Sequence, residues 1–240
     1  MSHPHVSVLL AACCGKAYIA EQIASILPQL HPGDELLISD DSPAGDAATK
    51  EAVQSFGDPR IHYLAGPRQG VVKNIEFLLG QARGGILVLS DQDDVWLPGK
   101  LACARAQLRQ NFPALLHHNA KVTDARLQIT NDSLWRQNGA RPGHNLLRNG
   151  YTGCCMAFNR ALLPYLLPFP EHIPMHDQWI GLRAEQLQRR GQGVVRWVAE
   201  PYLLYRRHAE TQTGHGSSLL QKLKWRFSVM RALSRSYFKR

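Results

Sequence analysis

Apolar residues follow two rhythms along this chain. Val6-Ser7-Val8-Leu9-Leu10-Ala11-Ala12 is a short, nearly continuous aliphatic run, the pattern of a strand buried on both faces. After Gly15 the spacing changes to a helical period, with Ile19, Ile23, Ile26, Leu27 and Leu30 on one face until Pro32-Gly33. Glu35-Leu36-Leu37-Ile38-Ser39 predicts a second strand that stops at Asp40-Asp41, followed by a helix near 46–56 and a short strand at Ile61-His62-Tyr63-Leu64. Val71, Ile75, Leu78 and Ala82 mark the next helical face, and Ile86-Leu87-Val88-Leu89-Ser90 the most apolar strand, ending at Asp91-Gln92-Asp93-Asp94.

Strands alternating with helices of this length predict an α/β fold with a mostly parallel central sheet and helices on both faces. The second half is less regular. Strands are expected over Leu115 to Val122, near 194–199 and near 202–206, with a polar loop carrying short helical pieces over 131–150. Gly153 to Phe158 suits a small-residue strand or turn, and His176 to Arg190 a helix. In parallel sheets ligands bind beyond the carboxyl ends of the strands, so the two acid-terminated strands direct their acids into one crevice.

Composition narrows the picture. The 240 residues allow one sizeable core, and 44% hydrophobic with 20% charged residues fits a globular chain. No apolar run approaches the ~18 residues of a spanning helix. Met1-Ser2-His3-Pro4-His5 lacks the basic start and apolar core of a secretory signal, which makes a cytoplasmic location the expectation. Cys13, Cys14, Cys103, Cys154 and Cys155 show no CxxC spacing, so reduced thiols are expected rather than a zinc site. Of the +9 net charge, seven units belong to 217–240, which holds Lys222, Lys224, Arg226, Arg231, Arg235, Lys239 and Arg240 and no acid. A nearly neutral body argues against a nucleic-acid partner.

The acids carry the candidate chemistry. A hard divalent ion, Mg²⁺ or Mn²⁺, offsets the charge of a diphosphate while drawing only one or two carboxylates from the protein. Asp91-x-Asp93 at a strand end meets that requirement. Capping of a following helix accounts for Asp94 alone, whereas three acids in four residues repel one another without a cation. Asp40-Asp41-Ser42-Pro43 reads equally as an ordinary turn. Asp177 is a candidate general base or the N-cap of its helix, and Lys73 a phosphate partner or a solvated lysine.

Taken together, Val6–Ile19 (VSVLLAACCGKAYI), Glu35–Asp41 (ELLISDD), Gly70–Asn74 (GVVKN), Gly85–Lys100 (GILVLSDQDDVWLPGK), Gly153–Arg160 (GCCMAFNR) and Leu167–Trp179 (LPFPEHIPMHDQW) resemble the family 2 glycosyltransferases of the GT-A fold, in particular a bacterial rhamnosyltransferase-like branch. The resemblance implies that Asp41 contacts the donor nucleoside, that Asp91 helps hold the nucleotide and that Asp93 ligates the metal. It also implies that Asp177 is the catalytic base and that Trp179 and Gly153 border the acceptor. Ala11, Lys73 and Asn74 match positions of the donor pocket. Tyr205-Arg206-Arg207-His208 resembles a late motif near the diphosphate, which adds Arg206 as a donor contact and His208 as a metal or phosphate contact. The chain departs from the family at Ala12-Cys13-Cys14, at Ser42-Pro43-Ala44 and at Asn119.

The implied activity is inverting, metal-dependent transfer of a sugar from a nucleotide-diphosphate donor (dTDP-L-rhamnose or a UDP-sugar) to a glycan or lipid-linked acceptor of a bacterial surface polysaccharide. The alternatives are a nucleotidyltransferase on a similar sheet, which lacks a Gly-rich phosphate loop in Ala11–Lys16, and a degenerate nucleotide-binding protein. Residues 1–216 are expected to form one domain and 217–240 a basic amphipathic helix, with Leu220, Leu223, Phe227, Met230 and Tyr237 on one face and Lys224, Arg231 and Arg235 opposite. That helix either packs on the domain or lies on the inner-membrane surface.

Overall fold

A computed structural model describes residues 5–44, 47–135, 145–146, 149–208 and 219–238; within the last segment, side chains are described for 224–234. The polar loop expected over 131–150 and part of the C-terminal segment therefore lie partly outside the described residues. The strands are β1 (Val6–Ala12), β2 (Glu35–Asp40), β3 (Ile61–Ala65), β4 (Ile86–Asp91), β5 (Val95–Trp96), β6 (Ala114–Thr123), β7 (Ile129–Asn131), β8 (Met156–Asn159) and β9 (Val194–Arg206). The helices are α1 (Ile19–Ile26), α2 (Ala48–Gln54), α3 (Val71–Gln81), α4 (Lys100–Gln107), α5 (His176–Arg189) and α6 (Leu219–Phe238).

One sheet runs in the order β3-β2-β1-β4-β8-β6-β9-β5, with β7 on the side of β6. β3, β2, β1 and β4 are mutually parallel, as the alternation of strands and helices predicts. β8 is inserted antiparallel between β4 and β6, which restores the direction of β4 to β6 and β9. Side chains along β1 alternate between two cores. Val6, Val8, Leu10 and Ala12 pack with α1, α2 and α4, whereas Leu9 and Ala11 pack with α3 and α5. Aliphatic residues on both faces of β1 and of Ile86–Leu89 in β4 satisfy both layers.

Three boundaries differ from the sequence expectation. The two strands near 194–199 and 202–206 are one strand, β9, which passes through Pro201. Its register against β6 shifts on both sides of Asn119, and the missing N–H of Pro201 falls at that irregularity. β5 escapes a sequence reading because two residues carry no period; it pairs Val95 with Leu204 and Trp96 with Leu203. Gly153–Cys155 is a 3-10 turn leading into β8.

The end of the sheet away from the crevice is closed by a buried ion pair. Asp34 accepts from the Val6 and His31 amides and from the Arg105 guanidinium, which joins the start of β1, the turn before β2 and α4. Arg105→Met leaves a buried carboxylate without its cation, and the expected cost is about 3–5 kcal/mol in chemical denaturation. A loss below about 1 kcal/mol would remove the pair from the list of essential contacts.

Candidate active site

β1, β2 and β4 end side by side. Ala11 lies opposite Ser39 on one flank and Asp91 on the other, so Ala11 forms the floor between the two acid-bearing strand ends. At the β2 end, Asp40 accepts from the Ser42 amide at 3.1 Å and from the Tyr63 hydroxyl at 2.9 Å, which is the turn chemistry expected of Asp-Asp-Ser-Pro. Asp41 points the other way. Its two oxygens accept from the Arg68 amide at 2.5 Å and the Gly70 amide at 2.8 Å. Gly70 has φ +84°, a conformation that glycine adopts without strain, so the Gly66–Gly70 loop is drawn over the crevice rim by Asp41.

The β4 end is denser. The Asp93 carboxylate lies 2.8 Å from His208 Nε2, and the His208 ring stacks on Tyr18 with centroids 4.8 Å apart. Asp94 is buried. One of its oxygens accepts from the Arg206 amide at 3.0 Å, while the other has no hydrogen-bond partner. Asp94 is not a helix cap: α4 begins six residues later, with Gly99 at its N-cap. Burial and the charges of Asp93 and Asp91 hold the Asp94 carboxyl well above the ordinary carboxylate range.

Asp91 is the electrostatic centre. Burial first, then the charge of Asp93, pushes its carboxyl up to about 6, with Asp177 acting in the same direction and His176 and the Cys154 thiol opposing. A carboxylate that senses both Asp93 and Asp177 ties the β4 end to the start of α5. Asp177 lies in the first turn of α5, whose N-cap is Met175 with no side-chain cap bond, so the capping role is excluded. Burial raises the Asp177 carboxyl to about 6, against hydrogen bonds from the Gln178 amide and the Asn149 side chain. Gly153 makes room beside it: a Cβ there would stand 2.6 Å from His176 Nε2, a buried nitrogen without a partner.

Several residues suggested by the family pattern are turned inward. Asn74 is 1% exposed, and its amide donates to the Ser39 carbonyl at 3.0 Å, fastening α3 to β2 rather than lining an open pocket. Lys73 pairs with Glu76 at 2.7 Å. Trp179 is a core residue whose indole N–H donates to the Leu166 carbonyl at 3.1 Å, so it fastens α5 from beneath rather than facing a ligand. The Arg206 guanidinium is also fully engaged. It donates to the carbonyls of Asp93 and Ala125, pairs with Glu21 and lies 4.8 Å from the Tyr18 ring centroid. Arg206 is thereby a clamp behind Asp93 rather than a free donor contact.

Other residues of the site escaped the sequence. Lys100 is 2% exposed, with its ammonium 2.6 Å from the Cys154 carbonyl and 4.2 Å from the Trp96 ring centroid, facing Asp91 and Asp94. Its signal was only a lysine six residues beyond Asp94. Gln92 donates to and accepts from the Cys13 backbone, and Gln22 donates to Ser90 and to the Asp91 carbonyl. The five cysteines are free.

Two groups compete as a cation site. Asp91, Asp94 and Cys154 bring ligand atoms within 4.8 Å of one another. A hydrogen bond donated to Cys155, and then burial, keep Cys154 a neutral thiol, and the Lys100 ammonium already faces this group, so a second cation is disfavoured there. Asp93 with His208 is half-buried at the crevice, where the carboxylate suits Mg²⁺ or Mn²⁺ and the imidazole favours Mn²⁺ of the two.

Comparison with known proteins bears on the family and the fold. Residues 7–167 match the family described as Glycosyl transferase family 2. Over 183 residues the chain is 27% identical to the UDP-Glc:alpha-D-GlcNAc-diphosphoundecaprenol beta-1,3-glucosyltransferase WfgD of Escherichia coli, covering 74% of this chain and 69% of that protein. Among solved structures, S. aureus TarS 1-349 in complex with UDP-GlcNAc superposes with a TM-score of 0.72 at 17% identity, over 98% of this chain and 67% of that one. The mannosyltransferase PcManGT of Pyrobaculum calidifontis, in complex with GDP-Man and Mn²⁺, superposes with a TM-score of 0.62 at 20% identity, over 100% and 64%. These likenesses identify the fold as GT-A. With the family pattern matched over most of the chain and the acids gathered at its strand ends, this protein belongs to the family 2 glycosyltransferases.

Proposed function

We propose that the protein catalyses inverting transfer of a hexose from a nucleotide-diphosphate donor to a hydroxyl of a lipid-linked glycan, in the assembly of a bacterial surface polysaccharide. The observation that supports this reading is the nearness of Asp91 to both Asp93 and Asp177, whose charges act on its buried carboxyl from the β4 end and from the start of α5. The name of the Escherichia coli relative, a UDP-glucose-dependent enzyme acting on a diphosphoundecaprenol-linked sugar, favours a UDP-sugar over dTDP-L-rhamnose. Such an acceptor resides in a membrane, so the reaction is proposed for its cytoplasmic surface. No helix among the described residues is long and apolar enough to cross one.

Asp177 takes the proton of the acceptor hydroxyl as its oxygen attacks the anomeric carbon, and the nucleoside diphosphate leaves from the opposite face. A carboxyl raised to about 6 remains ionised at neutral pH yet is basic enough to accept that proton. Asp93 and His208 would hold Mg²⁺ or Mn²⁺, which when bound acts as a Lewis acid for the departing diphosphate. Asp41 holds the Gly66–Gly70 loop at the nucleoside end, and Asp91 orients the donor between the two functions. Gly153, lacking a Cβ, lets the His176 ring approach the backbone beside the base.

A thermal-shift panel of UDP-sugars, GDP-mannose and dTDP-L-rhamnose with Mg²⁺ or Mn²⁺ tests the donor class; stabilisation by none of them would end this reading. Asp93→Ala should weaken UDP binding in the presence of Mn²⁺ by about tenfold or more, as loss of a charge-assisted contact implies. Equal enhancement by Mn²⁺ in variant and parent would take Asp93 out of the metal role. Asp177→Asn should lower kcat by about a hundredfold or more with donor affinity nearly unchanged. Because the base acts only when deprotonated, kcat/KM in the parent should fall as pH drops below about 6 and level off above it. A rate indifferent to pH across that range would exclude Asp177 as the base.

A further inference from the structure

We infer that α6 is a docking surface for an anionic lipid bilayer, with Phe227 and Met230 as its inserting side chains. The helical spacing of Leu220, Leu223, Phe227, Met230 and Tyr237 suggests a face that packs on the domain, and for the described side chains the structure reverses this. Val229, Ala232 and the half-buried Leu233 hold α6 to the protein, Ala232 and Leu233 joining the α3–α5 core layer. The Ser228 hydroxyl donates to the His172 carbonyl at 2.6 Å. Phe227 is 66% exposed and Met230 44% exposed on the outward side.

Lys224, Arg231 and Ser234 are exposed on the same side, at three- and four-residue steps from Phe227 and Met230. The outward strip is therefore apolar along its middle and basic along one border, and Arg226 is half-buried at the other. No acid occurs anywhere in 217–240. Two large apolar side chains held in water beside cations match an interface with an acyl layer beneath and phosphate headgroups around it. A nucleic acid would meet the charges and leave Phe227 and Met230 exposed.

Position adds purpose. His172, where α6 is fastened, precedes the base Asp177 by five residues, so a bilayer under α6 lies against the segment that leads into the acceptor side. The inference deepens the proposed function, since it names how the site meets a membrane-borne acceptor. Its test reads lipid binding without transfer, so the two are scored separately.

The experiment is sedimentation of the full chain with vesicles of phosphatidylcholine alone or mixed with phosphatidylglycerol. Binding is expected only to the mixed vesicles, and it should weaken as salt rises. Phe227→Ser combined with Met230→Ser should lower the partition coefficient about tenfold or more. Lys224→Gln combined with Arg231→Gln should lower it about thirtyfold. All four side chains are exposed, so both double variants should keep the parent's melting temperature and its activity on a water-soluble acceptor. Unchanged partition in either double variant overturns the inference. So does tighter binding to duplex DNA than to the vesicles, or a dimer in solution that the Phe227 and Met230 changes dissolve.

Discussion

Carboxylates crowded at the buried end of β4 have to be neutralised without water, and much of the crevice follows from how this is done. Asp91 and Asp94 are pushed toward their protonated forms by burial and by the charge of Asp93. Lys100 faces them from behind, its ammonium held between the Trp96 ring and the Cys154 carbonyl. From the opposite side the Arg206 amide meets Asp94, while the Arg206 guanidinium grips the Asp93 carbonyl and Glu21. A half-neutralised group of this kind is costly in a closed core. Here Lys100 supplies the balancing charge, which leaves Asp93 and His208 as the half-buried pair at the crevice.

The same contacts join the two halves of the sheet. β5 is only two residues long, yet its pairing with β9 draws Arg206 and His208 over Asp93 and Asp94. The insertion of β8 between β4 and β6 brings Gly153 and Cys154 to the acids and sets His176 against Gly153. The Asp93–His208 pair, Ala11 and Asp177 thus come from the segments that follow β4 and β9, from β1 and from α5, elements far apart in sequence. The ends of the sheet divide the labour. Asp34 and Arg105 close the far end with a buried ion pair, and the crowded carboxylates collect at the crevice end.

The residues that the family pattern suggested separate into two groups once packed. Asp41, Asp91, Asp93, Asp177 and His208 face the crevice or its rim. Asn74, Trp179 and Arg206 sit beneath it, holding α3, α5 and the β4 end in position. A pattern of residue types does not distinguish a side chain that touches a ligand from one that supports the side chain that does. Both are required for the same geometry.

Strand and helix order was legible because the demand for burial acts locally, as continuous apolar runs in β1 and β4 and at helical period in α1 and α3. The acid clusters at the ends of β2 and β4 were legible for a related reason: a buried parallel strand gives way to polar residues only where it leaves the core. What the tertiary structure decided was partnership. Arg206 and Asp94 are 112 residues apart, and Lys100 and Cys154 are 54 apart, so no local rhythm marks either pair. The outward face of α6 was undecidable in the same way. Periodicity identifies an apolar stripe, but only the rest of the fold determines whether that stripe finds a neighbour.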